Sequence, residues 1–249
     1  MARTFLIRGM ICGVVAGVLV FLYARLFGEA PVNGAIGLEE QLAHAAGAAH
    51  EHEEEIVSRD VQSTWGLFTG TMLYAIAVGG IFALLYAFAW GRVGRLGARG
   101  TAAALAVASF VAVYVVPFLK YPPNPPAVGN PDTIQFRTAL YFGMIAISIA
   151  AMVAAVNLGR ALLKRMELWH AAIVASVAYL ALVGIAYAVL PGIDEVSAQF
   201  PASLLWQFRI AAFGMQLLLW TVLGLLFGEL TERAQRAGNT SLSMAQRRN

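Results

Sequence analysis

Residues 65–90 read WGLFTGTMLYAIAVGGIFALLYAFAW, a stretch without a single charged side chain. A helix rises 1.5 Å per residue, so about 20 apolar residues cross the roughly 30 Å of hydrocarbon in a bilayer. This run is long enough to do so, and it has company. Stretches near 5–27, 101–119, 138–158, 168–190 and 207–228 share its character, and none carries Asp, Glu or His in its middle. The third ends at Pro117, where a proline can stop a helix at the interface. The 249-residue chain is 59% hydrophobic and 12% charged, with mean hydropathy +0.70. That is about half the charge of an ordinary soluble domain. The fold class is therefore all-α: a polytopic membrane helix bundle with about six transmembrane helices.

Basic residues orient such a bundle, because connections rich in Lys and Arg stay in the cytoplasm. Arg3 and Arg8 lead the first span, and GRVGRLGARG at 91–100 supplies Arg92, Arg95 and Arg99. Arg160, Lys164 and Arg165 follow the fourth span, and Arg233, Arg236, Arg247 and Arg248 follow the sixth. With six alternating spans these fall on one side, while Glu29, Glu39, Glu40, Glu51, Asp60, Asp132, Asp194 and Glu195 fall on the other. Both termini are expected on the cytoplasmic side of a membrane that the chain crosses several times. A competing reading makes Arg3, Arg8 and the first apolar run a signal peptide cleaved near GEA at 28–30. The run exceeds the usual 7–15 apolar residues of such a signal, which favours a retained helix. Gly9, Gly13 and Gly17 favour it too, as a stripe suited to close helix packing, and Gly66/Gly70 and Gly224/Gly228 repeat the spacing.

Several function classes are excluded or weakened. No GxxxxGK[ST] surrounds Lys120 or Lys164, so no P-loop is present. Pumps and secondary transporters place ionisable groups near the midplane, where this chain offers only neutral groups such as Ser109, Ser148, Gln216 and Thr221. No triad or paired acid and base is visible, so the chain reads as a non-enzyme. The lone cysteine, Cys12, rules out a disulfide framework. Met10, Met72, Met144 and Met215 read as core filling, and His170 as an interfacial structural residue.

Two connections on the acidic side look alike. VVPFLKYPPNPPAVGNPDTIQFRTALYFGM spans 115–144, and AVLPGIDEVSAQFPASLLWQFRIAAFGM spans 188–215. Each has an exit proline, Pro117 or Pro191, then a proline-bearing turn, then QFR opening the next helix, then FGM. Prolines at 122, 123, 125 and 126 fix φ and bias their neighbours towards extended backbone, so this turn has little ordering entropy to lose. Residues Lys120, Tyr121, Pro122, Asn124, Pro125, Pro126 and Gly129, with Arg137 and Arg209, are read as a stiff outer mouth. The two arginines either snorkel to the headgroups or face inward and pair with Asp132, Asp194 or Glu195.

These residues also carry a resemblance. KYPPNPPAVG followed by TIQFRTALY, then FPASLLWQFR and LGLLFGELTER, with SRDVQSTWGLFTG before the second span, resembles the CbtA family of proposed cobalt transporter subunits. The likeness runs from the first span to beyond the sixth. It implies a bacterial inner-membrane protein tied to cobalamin metabolism, working with a small single-span, histidine-bearing partner of the CbtB kind. The expected function is a subunit of a cobalt uptake system, with a non-transporting scaffold or regulator as the alternative. The bilayer is a partner, a homo-oligomer is allowed, and no nucleic acid is expected.

The chemical candidate is HAAGAAHEHEEE at 44–55. Cobalt(II) accepts imidazole nitrogen and carboxylate oxygen, and His44, His50, His52, Glu51, Glu54 and Glu55 supply both. Cobalt is expected as captured or carried ion, with no tightly bound cofactor. Leu38, Leu42, Ala45, Ala49 and Ile56 recur at helical spacing, predicting an amphipathic helix over 38–57. On one unbroken helix His50 and His52 stand about 200° apart, so convergence on one ion needs a break at Gly47, a second chain or a partner's ligands. Otherwise the segment is a solvated acidic helix. Residues 1–237 are read as the bundle and 238–249 as a disordered basic tail.

Overall fold

A computed structural model describes residues 2–45, 57–92, 96–126 and 128–246, with the side chains of 238–246 left aside. Among the described residues every regular element is helical. Six stretches are long and apolar enough to cross a membrane: α1 (Ala2–Ala45), α2 (Arg59–Ala89), α3 (Ala98–Lys120), α4 (Pro131–Leu162), α5 (Leu168–Val189) and α6. The last runs Ala202–Gln246. Their outward faces carry large apolar side chains such as Leu73, Phe88, Val177, Leu180 and Leu225, each more than 59% exposed. Such a surface suits hydrocarbon and would not stay dispersed in water.

Three boundaries differ from expectation. The α1 helix passes through a π-helical turn at Ala24–Gly28 and continues as Glu29–Ala45. The predicted amphipathic helix thus falls, for residues 38–45, on the end of this longer helix, and 46–56 lie outside the described residues. Residues 28–30, weighed as a cleavage motif, stand inside the helix, and Glu29 is buried against Arg59 at 2.5 Å. Second, α3 continues beyond Pro117 to Lys120. The π-helical turn Val111–Val115 precedes that proline, and a shifted hydrogen-bond register there accommodates a residue with no N–H to donate. Third, the backbone of residues 238–246, expected as a disordered tail, continues α6. Gly238, Asn239, Thr240 and Ser241 are poor helix formers, but no proline interrupts the stretch, so nothing local forbids the helix.

The chain divides into two compact units, residues 1–107 with 210–249, and residues 108–209. In the first, α1 lies along α2 at near backbone contact. Gly9, Gly13 and Gly17 face Met72, Ala75, Ile76, Gly79 and Ala83, and a Cβ added to Gly13 would stand 2.5 Å from the Ala75 carbonyl oxygen. Gly224 and Gly228 likewise face Ala106, Ala102 and Arg99. Phe82, Tyr86 and Phe227 fill the interior edge to face, with Phe5 against Tyr86. Cys12 is fully buried here, as its apolar context implies. In the second unit, Val116, Tyr121, Met144, Ala151, Ala155, Tyr179, Val183 and Ala186 form the core. At its centre the Ser148 and Tyr179 hydroxyls bond at 2.8 Å, satisfying each other away from water.

Candidate functional site

The proline turn of the second unit is built outward from the end of α3. Tyr121 closes that helix, its N–H donating 2.7 Å to the Pro117 carbonyl. Its ring is buried, and its Oη donates 2.8 Å to the Pro191 carbonyl. Lys120 turns back the same way: Nζ donates 2.9 Å to the Tyr187 carbonyl, with the Tyr121 and Tyr187 rings 5.7 and 6.0 Å from the ammonium. Two aromatic faces and a helix-end carbonyl are favourable surroundings for that cation.

Beyond Tyr121 each arginine of the two QFR motifs takes one half of the turn. Arg209 donates from Nη2 to the Asn124 side-chain oxygen at 2.9 Å and from Nε to the Pro123 carbonyl at 3.3 Å. The guanidinium thus holds two neutral oxygens of the proline turn, one from the backbone and one from a side chain. Pro125 is buried, Pro122 half-buried and Pro126 exposed. Arg137 holds the far half. Its Nη2 donates 3.2 Å to the Asn130 carbonyl, and its Nε lies 3.4 Å from a Glu195 carboxylate oxygen. Gly129, at φ +111°, lies so close to the Arg137 guanidinium that a Cβ would overlap it.

Glu195 ties the second proline-bearing turn to the first. One carboxylate oxygen accepts from the Thr133 hydroxyl at 2.6 Å, and the other from the Asn130 N–H at 2.8 Å. Asn130 in turn caps the next helix, its side-chain oxygen accepting from the Asp132 N–H at 3.0 Å. The pairing weighed from sequence is thus realised once: Arg137 pairs with Glu195, while Arg209 holds a carbonyl and an amide. Asp132 and Asp194 are exposed.

The hydrogen bonds from Thr133 and Asn130, helped by the positive charge of Arg137, hold the Glu195 carboxyl below its ordinary 4.5. A lowered folded pKa contributes stability that is complete above the unfolded value and is lost as pH falls through the folded one. The stability difference between the parent chain and Glu195→Gln should therefore be flat from pH 7 to about 5 and close only in stronger acid. Denaturation of both proteins in detergent across that range checks the sign. A gap that widens on acidification contradicts it.

Of the histidine segment, His44 is described, exposed near the end of α1. His50, His52, Glu51, Glu54 and Glu55 lie outside the described residues. Among those described, no group of three or more His, Cys, Asp or Glu stands close enough to hold a metal ion. Sequence reasoning left out the Asn130–Thr133–Glu195 connection, although Asn-Pro-Asp-Thr is a recognisable cap signal. It also left out Arg59, which holds Glu29 and donates from Nε and Nη2 to the Asn33 side-chain oxygen at 3.1 and 3.0 Å.

The candidate site is a turn whose basic and aromatic side chains, Lys120, Tyr121, Arg137 and Arg209, are each engaged by a carbonyl, an amide or a carboxylate. A family model described as "Probable cobalt transporter subunit (CbtA)" matches residues 2–232, a range that begins with α1 and reaches well into α6. No curated protein and no solved structure matches the chain.

Proposed function

From membership of the CbtA family of probable cobalt transporter subunits, to which this chain belongs, we propose that it carries cobalt(II) inward across a bacterial inner membrane. In this reading the uptake system serves cobalamin metabolism, and a small single-span, histidine-bearing partner of the CbtB kind supplies further ligands. The basic connections lie in the cytoplasm, and the proline turns lie outside. The observation that carries the proposal is the family match over residues 2–232.

Two local features support it. Residues 44–55 place three histidines beside four glutamates, a donor set that suits cobalt(II) and equally nickel or zinc. One of the two arginines of the turn is offset by a carboxylate, which reduces its repulsion of an incoming cation. Arg137 pairs with Glu195, whereas Arg209 keeps its positive charge against the neutral oxygens of Pro123 and Asn124. The turn serves as a stiff outer rim.

One observation favours a scaffold or regulatory subunit instead: no Asp, Glu or His stands in the middle of any span. Capture is tested by calorimetric titration of purified full-length chain with Co²⁺. His44/His50/His52→Ala should abolish the tightest site, and an unchanged affinity removes 44–55 from the mechanism.

A further inference from the structure

Cations keep different company in the two units. In the first, Arg99 and Arg233 both pair with Glu229, at 2.7 and 2.6 Å, and Arg236 pairs with Glu232 at 3.2 Å. In the second, Arg160, Lys164 and Arg165 are exposed. Among the described residues, none of these three has a salt bridge or a side-chain hydrogen bond. Glu167, the one acid between Arg160 and Ala171, is exposed as well and pairs with none of them. Three cations against one acid leave positive charge that nothing in this unit offsets.

The fold fixes where that charge lies. α4 ends at Leu162 and α5 begins at Leu168, and both are long and apolar enough to cross a membrane. The short turn between them keeps the three cations at the level of the headgroups. It is a tight turn: the Arg165 and Met166 N–H groups both donate back to the Leu162 carbonyl, at 2.8 and 3.0 Å. The helices are also close at this end, where a Cβ on Gly159 would stand 3.3 Å from the Ala175 Cβ. Next in the chain come Leu168 and Trp169, each 71% exposed. Tryptophan is at home where hydrocarbon meets the headgroups.

Unpaired cations beside bare apolar side chains call for an occupant with both a negative charge and hydrocarbon. A free phosphate would meet the cations and leave Leu168 and Trp169 uncovered. A phospholipid meets both demands, and the bilayer around the spans supplies it. We propose that the Arg160–Lys164–Arg165 end of the α4–α5 hairpin binds the headgroup of an anionic phospholipid. The phosphate lies among the three cations, and the glycerol and upper acyl chains cover Leu168 and Trp169. This inference rests on the membrane spans and not on the cobalt reading, so the two stand or fall separately.

The test uses full-length chain reconstituted into phosphatidylcholine vesicles. In a Cys12→Ala background, Leu163→Cys carries a fluorophore beside the cations, and dibrominated lipids quench it on contact. Dibrominated phosphatidylglycerol should be preferred over dibrominated phosphatidylcholine by at least about fivefold, the contribution of one Lys or Arg near anionic lipid. Arg160/Lys164/Arg165→Gln should abolish the preference. Arg160→Lys/Lys164→Arg/Arg165→Lys, which keeps the charge, should retain it and so separates lost charge from lost fold. Arg233/Arg236→Gln should leave it unchanged. Equal quenching by the two lipids, or a preference that survives the triple glutamine variant, overturns the proposal and leaves an acidic protein segment as the occupant to test. A preference erased by inorganic phosphate at constant ionic strength also overturns it, in favour of a soluble anion.

Discussion

Gly13→Leu should unpack the first two helices. The α1 and α2 backbones approach so closely that even a methyl group on Gly13 would stand 2.5 Å from the Ala75 carbonyl oxygen and 2.8 Å from the Ile76 Cα. Both obstacles are backbone, so no rotamer change relieves them, and the helices must part. Overpacking a filled core costs about 1–3 kcal/mol, occasionally more. A leucine at this crossing belongs at or above the top of that range, since parting the helices also forfeits the contacts of Gly9 and Gly17. Gly70→Ala, at the same spacing but beside open space, should change stability by less than about 0.5 kcal/mol. Thermal or denaturant unfolding of both variants in detergent separates the cases. Equal losses would mean that glycine matters for backbone freedom rather than for close approach.

Gly129→Ala should break the clasp between the two proline-bearing turns. Gly129 needs its φ of +111°, where any side chain is strained by about 1–3 kcal/mol. The new methyl would also displace the Arg137 guanidinium, and with it the bond to the Asn130 carbonyl and the pairing with Glu195. A double-mutant cycle resolves the two contributions. With Arg137→Ala already in place, Gly129→Ala should cost only the backbone strain, so the two changes combine to less than their sum. Strict additivity would show that the guanidinium is not held against Gly129.

The six spans were legible because hydrocarbon thickness imposes a minimum apolar length, and each run met it without an interior acid or histidine. The rigidity of YPPNPPAVG was legible too, since four prolines restrict the backbone whatever surrounds them. Which partners the arginines chose was not. Arg137 and Arg209 end equivalent QFR motifs, yet one meets a carboxylate and the other a carbonyl and an amide, a difference set by tertiary placement of Glu195 and Asn124. Helix ends were the least legible part. Glu29 carries a charge that argues against a membrane helix, but its ion pair with Arg59 lets it be a buried member of a continuing one. Pro117 reads as a stop, but the π-helical turn before it removes the reason to stop. The Gly66/Gly70 stripe was indistinguishable in sequence from the two that pack, because spacing states that a neighbour could approach and not whether one does.

The central claim is that this chain belongs to the path by which cobalt enters the cell. Radioactive cobalt uptake should be measured in bacteria lacking their own cobalt transporters, expressing the chain with and without a small histidine-bearing single-span partner. The account predicts uptake that requires this chain, with the partner raising it. No uptake in either case, with the protein confirmed in the membrane, would contradict it and leave a scaffold in its place.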